Sequence, residues 1–340
     1  MKTIKLQHAG LMAQYTNVFR LVLEECPTKE EIEILFNDEV YIKGNFFNNN
    51  TDISCTEIGN KDIVVENKRA DVRDITKSLT SRNINEKYRS TYNKILDKFY
   101  NPSEVLKKSI DELKNDYQIN IDKTIFTYFR GTDAVYERPA GAVPSWSYIP
   151  IIEKIINTDD EIDTVVLQSD SGQFYQLLLD WFWLNYPHIN VVLIDKIKLP
   201  NTTWKIIDAK DEWGYNDGEE DRYKTQKFCL YEPQTHTEHA FSKNYKSNKE
   251  FSLLWTSISI IASECKYFLG NKSNFSLFSN IYRRNSKNFG LLDIEMKIKI
   301  ESDLMSNKEF IQSPYMKENH PSVIKEYSQT DWENWTWKTE

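Results

Sequence analysis

Three short polar stretches, each directly after an apolar run, hold the residues best suited to chemistry. Arg130, Gly131, Thr132 and Asp133 follow Thr124 to Phe129; Ser169, Asp170 and Ser171 follow Thr164 to Gln168; and Asn271, Lys272, Ser273, Asn274, Phe275 and Ser276 follow Cys265 to Gly270. An arginine fork released at a strand end suits a phosphate, which it can hold through two parallel hydrogen bonds. Ser273 or Asn274 would cap the helix that follows, leaving backbone N–H groups that favour an anion, and Lys272 adds positive charge. Each stretch also has a plain structural explanation. Arg130 could simply pair with Asp133 on the surface, and a serine or asparagine cap needs no function. The functional reading gains from convergence, because open α/β sheets gather ligands at the carboxyl ends of their strands.

The elements that must position these stretches are legible as alternating apolar strands and amphipathic helices. Near the start, Thr3 to Gln7 reads as a strand, Leu11 to Glu25 as a helix and Ile32 to Phe36 as a second strand, a βαβ opening. Gly10 sits where the first strand meets its helix, either to let backbone approach a ligand or merely to make the turn. Residues 44–62 are Asn-rich and loop-like, and from Asp74 to Tyr117 the pattern is helical and highly charged. The second half predicts strands at Thr124 to Phe129, Thr164 to Asp170, Asn190 to Asp195 and Cys265 to Gly270. Helices are predicted between and after them. Wholly apolar strands alternating with helices indicate a parallel sheet covered on both faces. The expected class is α/β, with two Rossmann-like domains facing each other: residues 1–118, residues 119–310, and a segment 311–340 packing back on the first domain. Trp332 and Trp335, at helical spacing, would staple that last segment; a carbohydrate-binding surface is the alternative.

Bulk properties narrow the function classes. The 340 residues carry a net charge of −8, which implies no general affinity for nucleic acid or anionic membrane. The four cysteines, Cys26, Cys55, Cys229 and Cys265, stand far apart with no CxxC pair. That suits reduced, scattered thiols better than a disulfide framework or a zinc site. No GxGxxG, GxxxxGK[ST] or GxSxG pattern is present, so nicotinamide, P-loop and serine-hydrolase chemistry have no support. His236 and His239 lack the HExxH arrangement and read as a solvated turn rather than a metal site. No apolar run is long enough to span a bilayer, and the first residues have no apolar signal region. A cytoplasmic, soluble protein is expected.

Tyr128, Phe129, Arg130, Gly131, Thr132 and Asp133 together resemble the His-x-Arg-Arg-Thr/Gly-Asp motif of the fucosyltransferase-like GT-B superfamily. That superfamily includes the α1,6-, α1,2- and protein O-fucosyltransferases. Val165 to Asp170 resembles its strand ending in a Thr/Ser-Asp pair, and Ser263 to Ser276 its late strand and serine-rich turn. The resemblance covers roughly residues 124–284. It implies a nucleotide sugar on the second domain and an acceptor approaching from the first. Arg130 then matches the arginine that neutralises the departing nucleotide diphosphate, which needs no metal. Ser273 and Asn274, with Lys272, match the phosphate-cradling turn, and Asp170 falls where the family reaches toward the nucleoside. Tyr128 stands where the motif has histidine and Gly131 where it has the second arginine, and Ser257 and Ser259 lie where an acidic guanine-binding residue is expected.

An inverting transfer wants a carboxylate to take the acceptor's proton. Glu137 is the candidate base, with Asp133 beside it, against the alternative of solvated loop charges. Trp204, Trp213, His236 and His239 are placed to fold over the nucleotide. The expected activity is metal-independent, cofactor-free sugar transfer from a nucleotide-diphosphate donor, GDP-fucose first, to a glycan or other hydroxyl acceptor. Two alternatives remain: a non-catalytic nucleotide- or glycan-binding protein of the same fold, and another α/β enzyme acting on phosphorylated substrates.

Overall fold

The computed structural model describes residues 2–5, 11–25, 32–35, 46–47, 53–55, 69–80, 84–130, 145–169, 172–194, 205–208, 227–230, 248–292, 314 and 318. The chain is α/β and groups into two compact units. One combines Met1–Ile121, Phe241–Cys265 and Lys272–Phe289; the other combines Asp122–Ala240, Lys266–Asn271 and Gly290–Glu340.

The first unit opens as the sequence suggests. β1 (Lys2–Lys5), α1 (Leu11–Glu25) and β2 (Ile32–Leu35) form a βαβ turn with β1 and β2 parallel. β3 (Ile53–Cys55) then pairs antiparallel to β2, inside the stretch read from sequence as a loop. Three residues in an asparagine-rich setting give no periodicity to detect. The helices α2 (Arg69–Thr80), α3 (Arg89–Phe99) and α4 (Glu104–Asp116) follow, and later in the chain α7 (Asn248–Glu264) and α8 (Asn274–Tyr282). Ser103 caps α4 by accepting from the Leu106 N–H at 3.3 Å, and Glu104 favours the positive end of the helix. Leu106, Ile110 and Leu113, at helical spacing, are buried.

α7 packs on α4 and α8, and α1 packs on α8. Between them lies an aromatic cluster in which Tyr15, Phe47 and Tyr100 meet Phe278 at ring-centroid distances of 5.2 to 6.4 Å. Buried hydroxyls are satisfied within it: Tyr100 donates to the Tyr15 carbonyl at 2.7 Å, and Tyr15 and Thr256 share a 3.0 Å hydrogen bond. Arg89 ties α3 to α8, donating to the Asn280 carbonyl and side-chain oxygen, both at 2.9 Å, and to the Glu86 carboxylate.

The second unit is built on a five-stranded sheet of order β10-β9-β4-β5-β6. Its strands are β4 (Thr124–Phe129), β5 (Thr164–Ser169), β6 (Asn190–Leu193), β9 (Tyr267–Asn271) and β10 (Phe289–Leu292). β9, β4, β5 and β6 pair in parallel. Ile125, Phe129, Val165, Leu167 and Leu269 point to one face. There α5 (Tyr148–Thr158) and α6 (Gly172–Asn185) complete a single apolar core. In α6 the buried residues Phe174, Leu177, Leu178, Trp181 and Phe182 repeat at helical spacing, which is why the helix lies flat on the sheet. Alternation sends Phe126, Tyr128, Val166, Gln168 and Phe268 to the opposite face, where the Phe126 and Phe268 rings stack at 6.1 Å. Two further strands, for which the sequence raised no expectation, are β7 (Lys205–Asp208) and β8 (Lys227–Leu230), which pair antiparallel. β10 is a further strand the sequence did not disclose.

Candidate functional site

Strand order marks a particular edge of the second unit's sheet. From β4 the chain moves outward to β5 and β6, then returns to lay β9 on the other side of β4. The adjacent pair β4/β9 is therefore the switch point at which chain order reverses, where doubly wound sheets open a crevice at their carboxyl ends.

At that point the ladder stops. β4 and β9 pair from Ile125–Tyr267 to Tyr128–Gly270 and no further. Just beyond, the buried Tyr148 hydroxyl donates to the Tyr128 carbonyl at 2.7 Å and meets the Asn271 backbone N–H. Burial pushes its pKa well above the ordinary tyrosine value, with proximity to Tyr128 adding to the effect, and the Asn271 contact only partly opposes it. The phenol thus stays a neutral donor. One residue on, the Asn271 carboxamide takes over the ladder. Its Oδ1 accepts from the Arg130 N–H at 3.0 Å, and its Nδ2 donates to the Arg130 carbonyl at 2.7 Å. A side chain thereby mimics a paired strand and fixes the backbone of Arg130, whose side chain is half-buried.

The neighbouring strand is finished by a similar device. Tyr175 of α6 accepts from the Ser169 N–H at 2.6 Å and donates to the Ser169 carbonyl at 2.8 Å. Both groups of the last residue of β5 are thus satisfied by one phenol, immediately before Asp170.

In the first unit, Ser273 is the N-cap of α8, as the sequence suggested. Its hydroxyl accepts from the Ser276 N–H at 3.0 Å and it is buried. Helix α8 begins at Asn274, half-buried like Lys272. Ser257 and Ser259 are buried in α7, where Ser257 donates to the Leu253 carbonyl and Ser259 to that of Thr256. They are therefore satisfied inside their own helix. Gly10, Asp133, Glu137, Asp170 and His239 lie outside the described residues, as do His236, Trp204 and Trp213.

Sequence reasoning placed Arg130 directly after a strand and Ser273 at a helix cap, as the structure has them, but missed Asn271, Tyr148 and Tyr175 as the groups that hold the strand ends. An asparagine closing an apolar strand, and tyrosines in the first turns of the helices after β4 and β5, were the available signals. Nothing local distinguishes them from core tyrosines.

Among the described residues, no three His, Cys, Asp or Glu side chains group so as to hold a metal ion, and no helix is long and apolar enough to cross a membrane. No family model and no curated protein matches the chain.

Proposed function

We propose that the protein is a glycosyltransferase of the GT-B, fucosyltransferase-like kind, with two facing Rossmann-like domains. It would use a nucleotide-diphosphate sugar, GDP-fucose being the first donor to try, and a glycan or other hydroxyl acceptor. The observation that supports this most is the Asn271 clasp on Arg130 at the β4/β9 switch point. An arginine whose backbone is fixed at the carboxyl edge of a parallel sheet is preorganised for an anion arriving there.

In this reading the bond between the sugar's anomeric carbon and the diphosphate breaks, and its electron pair leaves with the phosphate. Arg130 compensates the charge that develops, and Lys272, Ser273 and Asn274 are the further phosphate-facing residues that the resemblance implies. The acceptor oxygen attacks the opposite face of the anomeric carbon, inverting it, and gives its proton to Glu137 or Asp133. No metal is required for these steps.

The test is a thermal-shift panel of GDP, UDP, ADP, CMP and their sugar conjugates, followed by transfer assays with Arg130→Ala. A ligand that binds the native state raises its stability with the logarithm of saturation. A shift with GDP and GDP-fucose, together with loss of transfer in folded Arg130→Ala, is the expected result. A shift with UDP alone keeps sugar transfer and discards fucose; no shift with any of them overturns the reading.

A further inference from the structure

Gln168 is the penultimate residue of β5, only 1% exposed, and among the described residues neither end of its carboxamide has a hydrogen-bond partner. Leaving both a donor and an acceptor buried and unpaired works against folding. The contrast with its surroundings is sharp: at the same sheet edge, Tyr148, Tyr175 and Asn271 satisfy backbone groups in pairs. Register places Gln168 beside Tyr128 on β4, and Tyr128 beside Gly270 on β9. Alternation puts Gln168 and Tyr128 on the face away from the α5/α6 core, and β5 ends one residue later. The amide therefore lies at the carboxyl edge of the sheet, one strand from the switch point, in a row whose β9 member has no side chain.

We infer that Gln168 is a ligand-reading residue whose carboxamide pairs with a neutral group offering a donor and an acceptor side by side. Such an edge is supplied by a nucleobase lactam or amide, or by vicinal hydroxyls of a sugar. A carboxamide is neutral, so it contributes selectivity rather than charge, complementing the cationic role of Arg130. This assignment rests on the nucleotide-sugar reading above and names the part of the donor that the residue would recognise.

The test compares wild type with Gln168→Met, which keeps the volume and removes both polar ends. Melting temperature is measured alone and with GDP and GDP-fucose, or with whichever pair of the panel binds the wild type. The variant alone should melt higher, because an unpaired buried amide is gone. Its affinity should fall by about tenfold or more, the usual consequence of losing a buried hydrogen bond. Loss with GDP itself assigns the amide to the base; loss confined to the added affinity of GDP-fucose over GDP assigns it to the sugar. Two results overturn the inference while leaving the nucleotide-sugar reading in place: unchanged affinity, or a variant that melts lower on its own. The latter would mean that the amide is satisfied inside the fold. A wild type that binds no member of the panel overturns both.

Discussion

The carboxamide of Asn271 holds both the N–H and the carbonyl of Arg130, at 3.0 and 2.7 Å. One side chain thus continues the β4/β9 pairing for a step after the strands have parted. The arginine that sequence reasoning singled out owes its position to a residue in the next strand over.

Asn271→Ala should remove both bonds and leave two backbone groups of Arg130 to find other partners. The expected cost is about 1–3 kcal/mol in urea unfolding, with a loss of nucleotide affinity beyond what the stability change explains. Asn271→Asp keeps the acceptor for the Arg130 N–H but loses the donor, so it should not rescue. Full activity in Asn271→Ala would show that the clasp does not position the arginine.

Tyr148→Phe and Tyr175→Phe remove hydroxyls from buried strand ends without changing shape appreciably. Each should destabilise by about 1–2 kcal/mol. Tyr175→Phe should cost more, because Ser169 loses partners for both its N–H and its carbonyl. Native-state hydrogen exchange reads this directly: the Ser169 amide should exchange faster in Tyr175→Phe and remain unchanged in Tyr148→Phe.

At the opposite, amino-terminal end of β9, Lys266 bridges Asp159 at 2.8 Å and Glu161 at 2.7 Å, and Tyr267 donates to Asp159 at 3.0 Å. Hydrogen bonding from Lys266, ahead of the opposing effect of desolvation, holds the Asp159 carboxyl below its ordinary 3.8. A depressed folded-state pKa contributes stability above the unfolded value and loses it as pH falls through the folded one. The Lys266 ammonium is correspondingly raised by the same two carboxylates, so its contribution is complete at neutral pH and lost only in strong alkali. Asp159→Asn should therefore lower the melting temperature at pH 7, and the gap from wild type should close below about pH 4. A gap independent of pH would assign the effect to packing instead.

Gln118 adopts φ 53° just after α4, where the Ile119 N–H reaches back to the Lys114 carbonyl at 2.8 Å. This is a helix C-terminal turn whose left-handed position glycine fills best. Gln118→Gly should raise stability by about 1 kcal/mol, seen as a higher urea midpoint with an unchanged slope.

Most of the second unit's sheet could be read from the chain because its central strands β4 and β5 are buried at nearly every position and carry long apolar runs: Thr164 to Ser169 is buried throughout. β10 escaped because Phe289, Gly290, Leu291 and Leu292 are short and interrupted by glycine. The structure gives that glycine a reason, since a Cβ at Gly290 would come within 2.9 Å of Leu269 Cδ2. The places of Arg130 at a strand end and Ser273 at a helix cap were legible because strand termination and capping are local properties. Asn271, Tyr148, Tyr175 and Gln168 were not, because their roles are defined by partners, or by the lack of them, on other elements. The partnership of α7 with α4 was hidden for the same reason: the Ser257 and Ser109 hydroxyls share a 2.9 Å hydrogen bond, but neither serine announces the other.

The order of strands also constrains how the chain can be made. β4 is the middle of the sheet, yet its partner β9 comes after β5 and β6 and a long intervening stretch. During synthesis β4 therefore waits with one side unpaired, an apolar edge of the sort that recruits foreign strands. A polypeptide halted after Cys265 would carry every residue of β4, β5 and β6 and still present that open edge. Synthesis of six further residues, Lys266 to Asn271, closes it and delivers the Asn271 clasp. Truncation at Cys265 should consequently yield aggregates, whereas the full chain is protected from the moment β9 emerges.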